Sequence, residues 1–253
     1  VTDFQDQGVQ RFDWEVIMKK LSWLFYSVAV LLSFGCKEHT TSDSYNFSES
    51  ISRVDISLDS ADVKVVGTED DGASVDFKVR YHGSEPSITV ETDNGTLRIR
   101  MSCHLSCDGD FAVTVPSTVT SVIRVDSGNM EIDGLLGDSS LNVDSGNVRL
   151  NGSTGRLSVS ADSGNVTGTV TSTVVDGSVD SGNLDLRFDI PPSDLDLSAD
   201  SGNITLEVPN GAYDVHTKVD SGQVSVRNIT VEDNALGVIW ADVDSGNITI
   251  VGY

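Results

Sequence analysis

One tetrapeptide recurs through most of this chain. Asp-Ser-Gly-Asn begins at Asp126, Asp144, Asp162, Asp180, Asp200 and Asp244, and Asp-Ser-Gly-Gln at Asp220. Successive copies start 18, 18, 18, 20, 20 and 24 residues apart. Aliphatic residues flank them at every second position: Leu141 and Val143 before Asp144, Val148 and Leu150 after it. Alternation with period two is the pattern of half-buried strands. Each copy therefore reads as two short strands meeting at a small polar corner. Gly supplies positive φ there, and Asp can accept from the backbone N–H two residues on, as an Asx-turn. The expected corner residues are Asp126, Gly128 and Asn129; Asp144, Gly146 and Asn147; Asp162, Gly164 and Asn165; Asp180, Gly182 and Asn183. Asp200, Gly202 and Asn203, then Asp220 and Gly222, then Asp244, Gly246 and Asn247 continue the set. Their role is structural, because a residue repeated at every corner is not a unique active site.

Two all-β folds satisfy this parity. A stack of hairpins would give a meander or sandwich. A solenoid would make each repeat of about 18–20 residues one coil, paired in parallel with the next. The solenoid is the favoured reading, because stacked coils align equivalent residues. Asn129, Asn147, Asn165 and Asn183 could then form an amide ladder. Fainter copies at Asp59-Ser60-Ala61-Asp62 and Asp93-Asn94-Gly95-Thr96 extend the pattern upstream, predicting one elongated domain over residues 51–253.

Chemistry is sparse. The 39 acidic residues against 16 basic give a net charge of -23, which repels phosphate backbones and excludes nucleic-acid binding. His39, His82, His104 and His216 are isolated, no G-x-S-x-G surrounds the repeated Ser, and Arg124, Arg149, Arg156, Arg187, Lys218 and Arg227 are scattered. No catalytic residue, cofactor or metal site is expected. A row of stacked Asp would repel itself unless relieved by turn hydrogen bonds, raised pKa values or a hard cation such as calcium. Turn hydrogen bonds are the preferred answer. Cys103 and Cys107 lie between strand-like segments, and in an oxidising compartment a disulfide is the first reading. The alternatives are free thiols or a metal site with His104 and Asp108.

Leu21–Gly35 is 15 residues without a charge, short of the ~20 a spanning helix needs. It follows Met18-Lys19-Lys20 and ends at Cys36. This resembles a bacterial lipoprotein signal, although Ser33 stands where that family usually has Leu. The resemblance implies cleavage before Cys36 and acylation of its thiol, so the membrane is a partner through a lipid anchor. Residues 1–17 then read as an extension before the true start, 18–35 as signal peptide, and 36–50 as lipidated Cys and flexible tether. Lys37 after the Cys favours an outer-membrane lipoprotein, periplasmic or surface-exposed.

The repeats themselves are similar to a family of bacterial strand-repeat proteins known as putative adhesins. Ser127-Gly128-Asn129, Ser145-Gly146-Asn147-Val148 and Ser163-Gly164-Asn165-Val166 match its Ser-Gly-Asp/Asn-Val hallmark. Ser60-Ala61-Asp62-Val63-Lys64-Val65 and Val113-Thr114-Val115-Pro116 resemble its early segments. The resemblance implies a right-handed β-helix-like solenoid on the cell envelope. The expected function is a non-enzymatic adhesin or binding module with a glycan or envelope protein as ligand. An envelope sensing partner and a polysaccharide-active β-helix enzyme are the alternatives.

Overall fold

The computed structural model describes residues 37–153 and 155–253. Cys36, the signal peptide and residues 1–17 lie outside the described residues. Among the described residues, the regular elements of the compact unit Glu38–Tyr253 are all strands. In chain order they are β1 (Glu38–Phe47), β2 (Arg53–Thr68), β3 (Ala73–His82), β4 (Ser87–Asp93), β5 (Thr96–Ser102), β6 (Cys107–Pro116) and β7 (Thr120–Ser127). Next come β8 (Met130–Asp133), β9 (Ser139–Ser145), β10 (Val148–Ser153), β11 (Leu157–Ser163), β12 (Val166–Val170), β13 (Val174–Ser181) and β14 (Leu184–Phe188). The last are β15 (Asp194–Ser201), β16 (Ile204–Val208), β17 (Ala212–Ser221), β18 (Val224–Arg227), β19 (Thr230–Val231), β20 (Gly237–Ser245) and β21 (Ile248–Gly252).

Each repeat contributes one strand to each of two parallel ladders. Ladder A runs β8–β10–β12–β14–β16 and ladder B runs β7–β9–β11–β13–β15, with neighbours one repeat apart. Parallel pairing excludes the hairpin meander for these repeats and gives a β-helix- or solenoid-like architecture. Equivalent apolar residues stack in columns. Val125, Val143, Ala161, Val179, Ala199 and Val243 form one, each at most 2% exposed. Each fully buried Val or Leu contributes about 1.5–3 kcal/mol relative to exposure.

The order of coils in space is not their order in sequence. At the C-terminal end, β20 pairs with β15 on one side and β17 on the other, while β21 lies between β16 and β18. The last repeat is thus wedged between the two before it, and the Asp220 copy ends the stack. At the N-terminal end, β2 is long enough to serve both ladders. It separates the β5/β6 coil from the β7/β8 coil. Asp59-Ser60-Ala61-Asp62 forms its corner, facing Ser127 and Gly128.

Two expectations need correction. Residues 38–47 are no tether, because β1 pairs antiparallel with β3 along its whole length. Tyr45 stacks on Phe47 and Phe77, and His39 on Tyr81. The Ser/Thr/Asp-rich composition suits an edge strand with one wet face, and Thr41, Tyr45 and Phe47 share the half-buried parity. Asp93-Asn94-Gly95-Thr96 is no coil corner either. It is the tip of an antiparallel β4–β5 hairpin, with Asn94 and Gly95 at φ 49° and 73°. Two successive positive φ values are the signature of a tight hairpin turn, which Asn-Gly favours.

The two ends differ. Antiparallel β3 covers β6, burying Val75, Phe77 and Val79, with the Phe77 and Phe111 rings 5.4 Å apart. At the other end, Val215, Val219 and Val226 are half-buried and Val224 is 44% exposed. In the neighbouring coil, Ile239, Val243, Ile248 and Ile250, at the same register positions, are fully buried.

Candidate binding faces

The corner residues work together in a way the sequence only half disclosed. Asn147 donates through Nδ2 to Asn129 Oδ1 at 3.0 Å, and its backbone N–H donates to the same oxygen at 3.2 Å. The arrangement repeats through Asn165, Asn183, Asn203 and Asn247. Asp62 heads the ladder, accepting from Asn129. An acceptor suffices at that position, so an acid fits. At the far end the Gln223 backbone N–H donates to Asn247.

Gly128, Gly146, Gly164, Gly182, Gly202, Gly222 and Gly246 all have φ between 137° and 157°. A Cβ at Gly146 would overlap the carbonyl oxygen of Gly128, so the coils can approach only where that side chain is missing. The Asp residues behave differently from expectation. The Gly146 N–H that an Asx-turn from Asp144 would use donates instead to Ser163 of the next coil, at 2.9 Å. The same bond recurs at Gly128, Gly164, Gly182, Gly202 and Gly246. Inter-coil pairing outcompetes the local turn, and Asp126, Asp144, Asp162, Asp180, Asp200, Asp220 and Asp244 point into solvent. Asp126 has its pKa raised, first by desolvation and then by the neighbouring charges of Asp144 and Asp59. Among the described residues, no three His, Cys, Asp or Glu converge to hold a metal.

Cys103 and Cys107 are joined in a disulfide, Cα–Cα 6.2 Å, at the corner between β5 and β6. Both sulfurs are therefore unavailable to a metal. The corner is tied further by the Cys103 N–H, which donates to Asp59 at 2.8 Å. Arg80 pairs with Asp108 beside it.

Outward side chains of ladder A line two adjoining concavities of about 1090 and 700 Å3, which share Asn165 and Thr167. The wing formed by β1, β3 and β6 walls the larger one, and the Asn ladder crosses both. Lys64, Lys78 and Arg149 project into the larger concavity. Lys64 is held by Glu131 at 2.7 Å, which keeps its ammonium pKa raised. Lys78 and Arg149 make no ion pair among the described residues. Hydroxyls, amides and two unpaired cations thus share one channel with the carboxylates of Asp43, Asp62, Asp76 and Asp110 and with apolar side chains such as Phe77. Recurrence located the amides but not the channel, since β1 and β3 lie outside the repeat.

Ladder B presents a second feature that the repeat pattern did not reveal. Trp240 is 52% exposed and stacks on His216, ring centroids 4.0 Å apart. Asp214 lies 2.9 Å from His216 Nε2. Arg187, on ladder A, lies 3.7 Å over the ring of Tyr253 and pairs with Glu207 at 2.6 Å.

No protein-family model matches the chain, and no curated protein matches it. Solved structures do. A putative adhesin from Bacteroides fragilis superposes with a TM-score of 0.51 at 13% identity, over 85% of this chain and 98% of that one. This likeness is one of fold. A putative cell adhesion protein from Clostridium sporogenes gives 0.39 at 13% identity, over 84% and 100%. A putative adhesin from Parabacteroides merdae gives 0.37 at 11%, over 86% and 96%.

Proposed function

We propose that this chain is a non-enzymatic envelope protein that binds an extended polar polymer, a glycan before any other, along the outer face of ladder A. The observation that carries this reading is the channel. It is open and spans two adjoining concavities, lined by hydroxyls, the Asn ladder, carboxylates, apolar side chains and the cations Lys78 and Arg149. Regularly spaced amides and hydroxyls suit a ligand that itself repeats, and shallow clefts lined by precisely placed polar groups fix orientation. The fold shared with the Bacteroides fragilis protein is compatible with an adhesive role. We read the winding as right-handed, the hand that parallel crossovers favour. Lipidation at Cys36 would hold the module at the outer membrane.

The test is a screen of immobilised glycans and purified envelope proteins, with polysaccharide turnover assayed alongside. Wild type is compared with a Lys78→Ala, Arg149→Ala double variant. Glycan binding that weakens in the variant, without turnover, is the expected result. Turnover of a polysaccharide would make the chain an enzyme, and selective capture of one envelope protein would make it a sensing partner. Mass spectrometry of the mature N-terminus tests the anchor, with an unmodified Cys36 overturning it.

A further inference from the structure

We infer that Trp240, on the opposite face from the channel, is one wall of a site for an organic cation of the guanidinium class, an arginine side chain of a partner. Three observations on ladder B lead there. The indole is half exposed on a strand interior, with His216 covering one face from β17. The other face looks toward β15, where Asp196 stands at the same register position, followed by Asp176 on β13. Neighbouring strands are ~4.8 Å apart, so a flat cation on the free indole face would lie against the Asp196 carboxylate with Asp176 behind it. Asp196 and Asp176 are both exposed and make no ion pair among the described residues. The nearby Lys218 is engaged by Asp242 and Asp220.

The molecule supplies its own precedent. Arg187 lies over Tyr253 with Glu207 and Asp189 as carboxylate partners, so an aromatic face beside acids already holds a guanidinium here. At Trp240 the same constellation has no cation from the described residues over its free face. Indole is the strongest of the aromatic partners for a cation, and Arg the commoner cation. Charge complementarity favours a basic ligand over a neutral sugar, because every ionisable group on the open side of the ring is a carboxylate.

The experiment titrates the 15N-labelled full-length chain with N-acetylarginine amide and with N-acetylcitrulline amide, a near-isostere without charge. The Trp240 indole N–H signal is identified by its loss in Trp240→Leu. A saturable shift with the arginine derivative is expected, with affinity about tenfold weaker for citrulline and a comparable loss in Asp196→Asn, the scale of one partly desolvated cation–π contact. Added salt should weaken it further. Asp196 is an outward residue, and matching thermal melts will show that its variant remains folded. Equal binding of citrulline, no effect of Asp196→Asn, or preference for a neutral methyl pyranoside would overturn the proposal.

Discussion

Gly152 and Gly164 both hold positive φ, at 74° and 151°, yet their surroundings differ. A Cβ at Gly152 meets open space, whereas at Gly164 it would overlap the Gly146 carbonyl. Gly152→Ala should cost about 1 kcal/mol of backbone strain alone, and Gly164→Ala about 3 kcal/mol or more, since a packed coil must shift as well. Urea unfolding of both variants checks the contrast, and equal costs would mean that stacking does not demand the glycine. Asp126 gives a prediction of opposite sense. Its folded pKa is raised, so the ionised form is disfavoured by folding. Its stabilising contribution is present below the unfolded pKa and lost as pH rises through the folded one. Asp126→Asn should therefore melt slightly higher than wild type at neutral pH, the gain shrinking in acid and in high salt. Gly and Asn were legible in the sequence because the same need recurs at every corner. The Asp role is not legible, because the competition for the Gly N–H is settled by the next coil, which a local sequence pattern does not contain. Trp240 left no trace, being a single aromatic outside the repeated tetrapeptide.

At the scale of elements, strand identity and parallel stacking could be read from alternation and period. Coil order could not, because the Asp220 and Asp244 copies carry nearly the same motif. Their inward residues explain which takes the inner seat. Ile239, Ala241, Val243, Ile248 and Ile250 are apolar throughout, whereas Thr217 interrupts the matching set of Val215, Val219, Val224 and Val226. The more apolar coil gains more by being covered on both sides. Amide hydrogen exchange should reflect this, with β20 and β21 protected to near the global limit and β17 and β18 opening far more readily. Slower exchange in β17 than in β20 would contradict the interleaved order. The Cys103–Cys107 bridge closes a short loop, so Cys103→Ser with Cys107→Ser should cost about 2 kcal/mol at most by chain entropy. Calorimetry with and without the pair measures it.

The unit Glu38–Tyr253 is a stack with repelling carboxylates at its corners, in a chain whose net charge is -23. Self-repulsion of that size should be relieved by counterions, so the melting temperature should rise steadily with added sodium chloride. A flat or falling response would show that attractive pairs such as Lys64–Glu131 outweigh the repulsion. The capped end was the least legible region, since β1 and β3 pair antiparallel and obey no repeat. The wedged coils at both ends also set a timetable. As the chain is synthesised, β2 waits some 67 residues for its neighbours Ser127 and Asn129. The coil at residues 212–227 likewise waits for residues 237–252 to slide beneath it. Neither end can close as a simple zipper from the N-terminus, and loop closure across such spans is slow. The last coil acts as a keystone. A chain stalled before it is left with an unlocked end and bare core, and quality-control proteases have a ready means of telling a finished molecule from an unfinished one.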